Sequence, residues 1–186
     1  MDFQFKENYN VADLIDIVEI LRSPEGCPWD REQDHKSIRR DFLEETYEVI
    51  EAINKNDKEL LLEELGDVLL QVVFHTQIER EQGTFELSDV ADGTCKKMIE
   101  RHPHVFGEVK ADTSEPVLEN WDVIKKRTKK QKSQTESMLS IPREFPALMR
   151  ADKVQKKASK VGFDWDNAEG AFDKISEELH EIKTAV

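Results

Sequence analysis

The stretch from Lys58 to Gln82 sets the tightest limit on what this chain can fold into. Leu60, Leu61, Leu62, Leu65, Val68, Leu69, Leu70, Val72, Val73, Phe74 and Ile78 recur at helical spacing and leave almost no polar side. A helix that is apolar nearly all round must be central, covered by neighbouring helices or by a second subunit. Yet this one carries Glu64 and Asp67. At about 100° per residue these two lie within about 60° of each other, on the face that also holds Leu60, Phe74 and Ile78. Ionised carboxylates on a buried face cost several kcal/mol unless they are paired or bound to metal. A conflict between pattern and placement of this kind is where function is expected.

The preceding helix, expected over about 37–54, repeats the conflict. Ile38, Phe42, Val49 and Ile53 form one stripe, widened by Leu43 and Ile50. Glu45 sits beside that stripe, Glu48 lies one turn on, and Glu44 is further round. Each helix thus brings a carboxylate pair at i and i+3 towards a shared apolar seam. Packing the two antiparallel through the Lys55–Asn56 connection brings the pairs together. An acidic string alone is most often a solvated helix face. The apolar setting of Glu64 and Asp67, and the origin of the pairs in consecutive helices, argue against that reading here.

Other segments are helical by the same test. Val11, Leu14, Ile15, Val18 and Leu21 mark a helix over about 11–22, and Ser23 to Asp30, with two prolines and a glycine, reads as a loop. Helices are expected from Ser88 to before Pro103, from Pro116 to about Lys130, and from about Pro146 to Lys160. His102 to Gly107 reads as a loop and residues 131–143 as a polar linker. No segment keeps a period of two, and Gly and Pro are few, so the expected class is all-α, an antiparallel helical bundle.

Acids outnumber Lys and Arg by 40 to 27, a net charge of -13. That balance repels nucleic acid polymers, although it leaves open a small polyanion held through metal. The apolar runs are too short for a membrane span, and the N-terminus has no signal-peptide pattern. Cys27 and Cys95 make no disulfide framework, which fits a reducing, cytoplasmic setting.

Two strings recur. Gly26-Cys27-Pro28-Trp29-Asp30 returns as Gly162-Phe163-Asp164-Trp165-Asp166, and Glu44-Glu45-x-x-Glu48 as Glu177-Glu178-x-x-Glu181. The domain reading is therefore a helical domain over 1–130, a linker over 131–145, and the truncated start of a second copy over 146–186.

The Cys-Pro-Trp-Asp string, Glu44-Glu45-x-x-Glu48, Glu64-x-x-Asp67 and Arg101-His102-Pro103-His104-Val105-Phe106 together resemble the MazG family. The resemblance implies an all-α, dimeric nucleoside triphosphate pyrophosphohydrolase. Such an enzyme uses Mg2+, with Mn2+ a possible substitute, and cleaves between the α and β phosphates to give a monophosphate and pyrophosphate. It implies Glu45, Glu48, Glu64 and Asp67 as metal ligands. Glu44, with Glu45, would orient or deprotonate water. More loosely, it implies Lys97, Arg101, Trp121 and Lys125 as nucleotide-binding residues. Trp29 offers a stacking face for the base and is equally suited to packing its loop. Some relatives keep activity only in the second domain, so the alternative is a catalytically weak or inactive dimerisation domain.

Other constellations point elsewhere less strongly. A di-iron bundle wants Glu-x-x-His on two helices, but Glu32-x-x-His35 lies near a loop and Glu177-x-x-His180 at the tail. His102 and His104 lack further ligands at metal spacing. His75 reads as a core histidine or a partner of the acidic face. Cys27 has no visible base, and the basic run from Lys125 to Lys132 reads as a solvated helix end.

Overall fold

The computed structural model describes residues 3–107, 133–165 and 167–185. Among the described residues all regular structure is helical. They form two compact units, one ending at Glu100 and the other starting at Arg101. The expected helix over 116–130 and the expected domain boundary at 130 lie outside the described residues.

The first unit begins with α1 (Val11–Arg22). Asn10 Oδ1 accepts from the amides of Ala12 and Asp13, and the Asp13 carboxylate accepts from the Asn10 amide at 2.9 Å. This reciprocal cap satisfies amide groups that a helix start leaves open. Ser23 turns extended and ends the helix. At Gly26 the chain runs so close to α1 that a Cβ would lie 2.1 Å from the Ile20 carbonyl oxygen, so no larger residue fits without displacing backbone. The expected loop over 23–30 is interrupted by a short helix, α2 (Pro28–Glu32). Proline at a first helical position gives up no hydrogen bond and has a suitable φ, which is why Pro28 opens a helix here.

Asp34 accepts from the amides of Lys36 and Ser37, both at 2.8 Å, and turns the chain into α3 (Arg39–Lys55). Asn56 closes α3 in the left-handed region at φ 54°, and Asp57 caps α4 (Lys58–Glu81) by accepting from Glu59 and Leu60. Gly83 follows α4 with φ 72°, a conformation that strains any residue with a Cβ. α5 (Leu87–Arg101) comes next.

α3 packs along α4, and α1 packs on both α4 and α2. Val18, Ile38, Val73, Phe74 and Ile78 form the core, with Leu14, Ile15, Leu69, Leu70 and Leu87 against it. This covers the second half of α4. Its first half is different: Leu62 is 77% exposed and Leu65 51%. Among the described residues, neighbouring helices therefore do not cover α4 all round.

A buried arginine ties three elements together. Arg22 forks onto Glu81 through Nε and Nη2, both at 2.8 Å, and its Nη1 donates to the carbonyls of Asp30 at 2.6 Å and Gln33 at 3.0 Å. Its guanidinium stands 5.1 Å from the centre of the Phe74 ring. The end of α2 is thereby pinned to α1 and α4.

In the second unit, α6 (Pro103–Phe106) is a single turn where a loop was expected, again opened by proline. The expected linker contains α7 (Gln134–Leu139), capped by the Ser133 hydroxyl, which accepts from the Glu136 amide at 3.1 Å. α8 (Ala147–Ser159) and α9 (Ala168–Ala185) follow. The apolar stripe of α9 is open to water: Phe172 is 68% exposed, Ile175 63%, Leu179 51% and Ile182 63%. No helix among the described residues is long and apolar enough to cross a membrane.

Candidate metal centre

α3 and α4 bring three carboxylates together. Oxygens of Glu45, Glu48 and Glu64 all lie within 4.8 Å of one another. Glu64 is buried, Glu45 half-buried and Glu48 exposed, so the trio opens to solvent on one side. The placement follows from helix register. Glu45 and Glu48 are one turn apart on α3, and Glu64 is on the α4 face that meets it.

The electrostatics are those of crowded carboxylates. Burial pushes the Glu45 carboxyl up, and the charges of Asp67, Glu48 and Asp41 add to the shift. Burial likewise raises Glu64, followed by Glu48, Glu63 and Asp67. Each charge bearing on these two groups is another carboxylate. Oxygen donors in this number suit a hard divalent cation, because Mg2+ prefers oxygen ligands and octahedral geometry and keeps some of its water.

Three of the four acids singled out in the sequence lie together in this way. Asp67 is half-buried and is not one of the converging trio. It stands about 60° round α4 from Glu64 and acts through its charge on Glu45 and Glu64. Glu44 also stands apart: its Oε1 accepts from Arg40 Nε at 2.7 Å on the exposed side of α3.

Residues 33–106 match the model of the MazG nucleotide pyrophosphohydrolase domain, a span that holds all four acids. The chain belongs to the MazG family. It is 48% identical, over 93% of its length and 66% of the relative's, to the nucleoside triphosphate pyrophosphohydrolase/pyrophosphatase MazG of Thermotoga maritima. To the nucleoside triphosphate pyrophosphohydrolase of Escherichia coli it is 46% identical, over 91% of its length and 65% of the relative's. The chain thus spans just under two thirds of these curated relatives. A crystal structure of a mazG-related protein from Thermotoga maritima superposes with a TM-score of 0.53 at 29% identity, covering 62% of this chain and 98% of that one.

The remaining residues carried over from the MazG pattern are less gathered. Lys97 is half-buried on α5 and is not among the charges that bear on Glu45 or Glu64. Arg101 is buried at the end of α5. Trp29 is 62% exposed on α2, so it does not pack its segment into the bundle. Trp121 and Lys125 lie outside the described residues.

One polar group was not legible as a unit in the sequence. His35 Nδ1 lies 2.8 Å from His75 Nδ1, and His35 Nε2 lies 2.6 Å from Glu79 Oε1. The Thr84 hydroxyl donates to the other Glu79 oxygen. His75 also meets the Phe42 ring, with centroids 5.6 Å apart. His75 and Glu79 at i and i+4 are a visible signal, but the turn that brings His35 to them is not.

Proposed function

We propose that this chain is a Mg2+-dependent nucleoside triphosphate pyrophosphohydrolase that cleaves between the α and β phosphates, releasing a monophosphate and pyrophosphate. The observation that carries the reading is the convergence of Glu45, Glu48 and Glu64 within 4.8 Å on a partly buried seam, with Asp67 alongside. The printed names of the MazG relatives supply the reaction class.

In this reading Glu45, Glu48, Glu64 and Asp67 hold the ion, and α3 and α4 run antiparallel. Bound Mg2+ offsets triphosphate charge and makes water more acidic, which a chain of net charge -13 cannot do by itself. Mn2+ is a possible substitute. Glu45, at the edge of the trio, would orient the attacking water. Glu44 serves the same water only after leaving Arg40. Lys97, Arg101 and Lys125, matched to the MazG pattern by motif position, are the cations that would neutralise charge on the departing pyrophosphate. Trp29 or Trp121 stacks on the base, which gives weak base selectivity. The exposed apolar side chains of α3 and α4 support a homodimer.

Incubating the chain with a panel of triphosphates and Mg2+, then separating the products by chromatography, tests this reading. Monophosphate with pyrophosphate is the expected result. Diphosphate with phosphate, or no turnover, counts against it and favours an inactive dimerisation domain.

A further inference from the structure

A second set of metal-ligand side chains lies well away from the acidic trio. His75 follows Glu64 by eleven positions on α4, about 16 Å along the helix axis. Glu79 is one turn beyond His75, and His35 reaches both from the turn between α2 and α3.

The hydrogen bonds order both rings. The Thr84 hydroxyl and His35 hold the Glu79 carboxyl below its ordinary range, so Glu79 is ionised and only accepts. The His35 proton facing it must therefore sit on Nε2. His35 turns its Nδ1 towards His75 Nδ1, 2.8 Å away, and the two atoms share a hydrogen bond between rings inclined by 13°. Burial first, and His35 second, lower the proton affinity of His75.

We propose that His35 and His75 form a binding site, through their Nδ1 atoms, for an imidazole-preferring divalent cation of the Zn2+ or Ni2+ class, with Glu79 orienting His35. A carboxylate on the far nitrogen of a ligating histidine fixes the ring and raises its basicity, and Glu79 is itself held by Thr84. Zn–N bonds of about 2.0–2.1 Å in a tetrahedral site put the two nitrogens about 3.3 Å apart. The rings need to part by only about half an ångström from the hydrogen-bonded arrangement. Water fills the other positions, since the His35 side chain is 41% exposed. Mg2+ avoids nitrogen donors, so this site takes a different ion from the acidic trio and does not depend on the activity proposed above. An ion here pins the turn between α2 and α3 to α4.

The test is a Zn2+ titration of the full chain in excess Mg2+, followed by calorimetry and by imidazole 15N NMR. The expected result is one equivalent bound, with the Nδ1 signals of His35 and His75 moving to metal-bound positions. Binding should fall more than tenfold in H35Q and in H75Q, and about 10- to 100-fold in E79Q. It should persist in the double variant E48Q/E64Q, which disables the acidic trio. His35 is on an exposed turn, so H35Q stays informative even if H75Q folds poorly. No binding, unchanged affinity in H35Q, loss only in E48Q/E64Q, or shifts confined to His102, His104 or His180 would each overturn the proposal.

Discussion

A carboxyl group crowded by other carboxylates keeps its proton longer than one in water, and this sets the pH behaviour of Glu45 and Glu64. Burial first, and neighbouring acids second, raise both above the ordinary carboxylate value. Their contribution to stability is therefore fully present below the unfolded-state pKa and is lost as pH rises through the raised folded-state values. The metal-free protein should lose stability through these groups as pH climbs above the ordinary carboxylate range. Glu64→Gln should flatten that loss, and in chelator it should melt as high as the wild type or higher. Mg2+ should raise the melting temperature of the wild type by mass action and that of the variant much less. Thermal melts with chelator and with Mg2+ check this, and a variant that melts well below wild type in chelator, with no Mg2+ shift in either, assigns Glu64 a structural role. His75 runs the other way. Its folded-state pKa is lowered, so its contribution is present above about 6.5 and is lost on acidification. His75→Phe should remove part of the loss of stability seen as pH falls below that value.

At the scale of elements, Arg22 is the residue on which three helices depend. Its side chain is 5% exposed, whereas that of Glu81 is 37% exposed. Arg22→Ala leaves the carbonyls of Asp30 and Gln33 without their donor, while Glu81 regains water. The cost should be about 2–4 kcal/mol, below the full penalty for breaking a buried pair because of that exposure. Lysine should not rescue it, since one ammonium cannot reproduce the fork. Asp57→Ala removes only the cap of α4 and should cost about 1 kcal/mol. Denaturant unfolding of the three variants checks the ranking. Much of this architecture was legible in local chemistry. Asn56, Asp57 and Gly83 are residue types that end or cap helices and stand at the ends of α3 and α4, and helical periodicity gave α1 and α8 to within a residue. The short helices α2 and α6 were not, because proline both stops one helix and opens the next. The convergence of Glu45, Glu48 and Glu64 followed from register on two consecutive helices. The His35–His75 contact spans 40 residues and depends on how a turn lies on α4, which no local pattern encodes.

For the whole molecule the open question is what covers the first half of α4. Leu62 projects about 160° away from Glu64 and is 77% exposed, with Leu65 at 51%. On α3, Leu43, Tyr47 and Ile50 recur at i, i+4 and i+7 and are 53%, 49% and 44% exposed. Each fully buried leucine is worth about 1.5–3 kcal/mol, so leaving these side chains in water forgoes several such contributions. The proposed homodimer recovers them, and Leu62→Glu tests it. Among the described residues nothing encloses Leu62, so in a monomer the change should leave folding within about 0.5 kcal/mol of wild type. In a dimer sealed by this face, the same change buries a charge opposite apolar groups and should shift the population to monomer at micromolar concentration, with helix content retained. Sedimentation of both proteins decides it. A wild type that sediments as a monomer removes the proposed dimer. A variant that remains a dimer moves the interface away from Leu62.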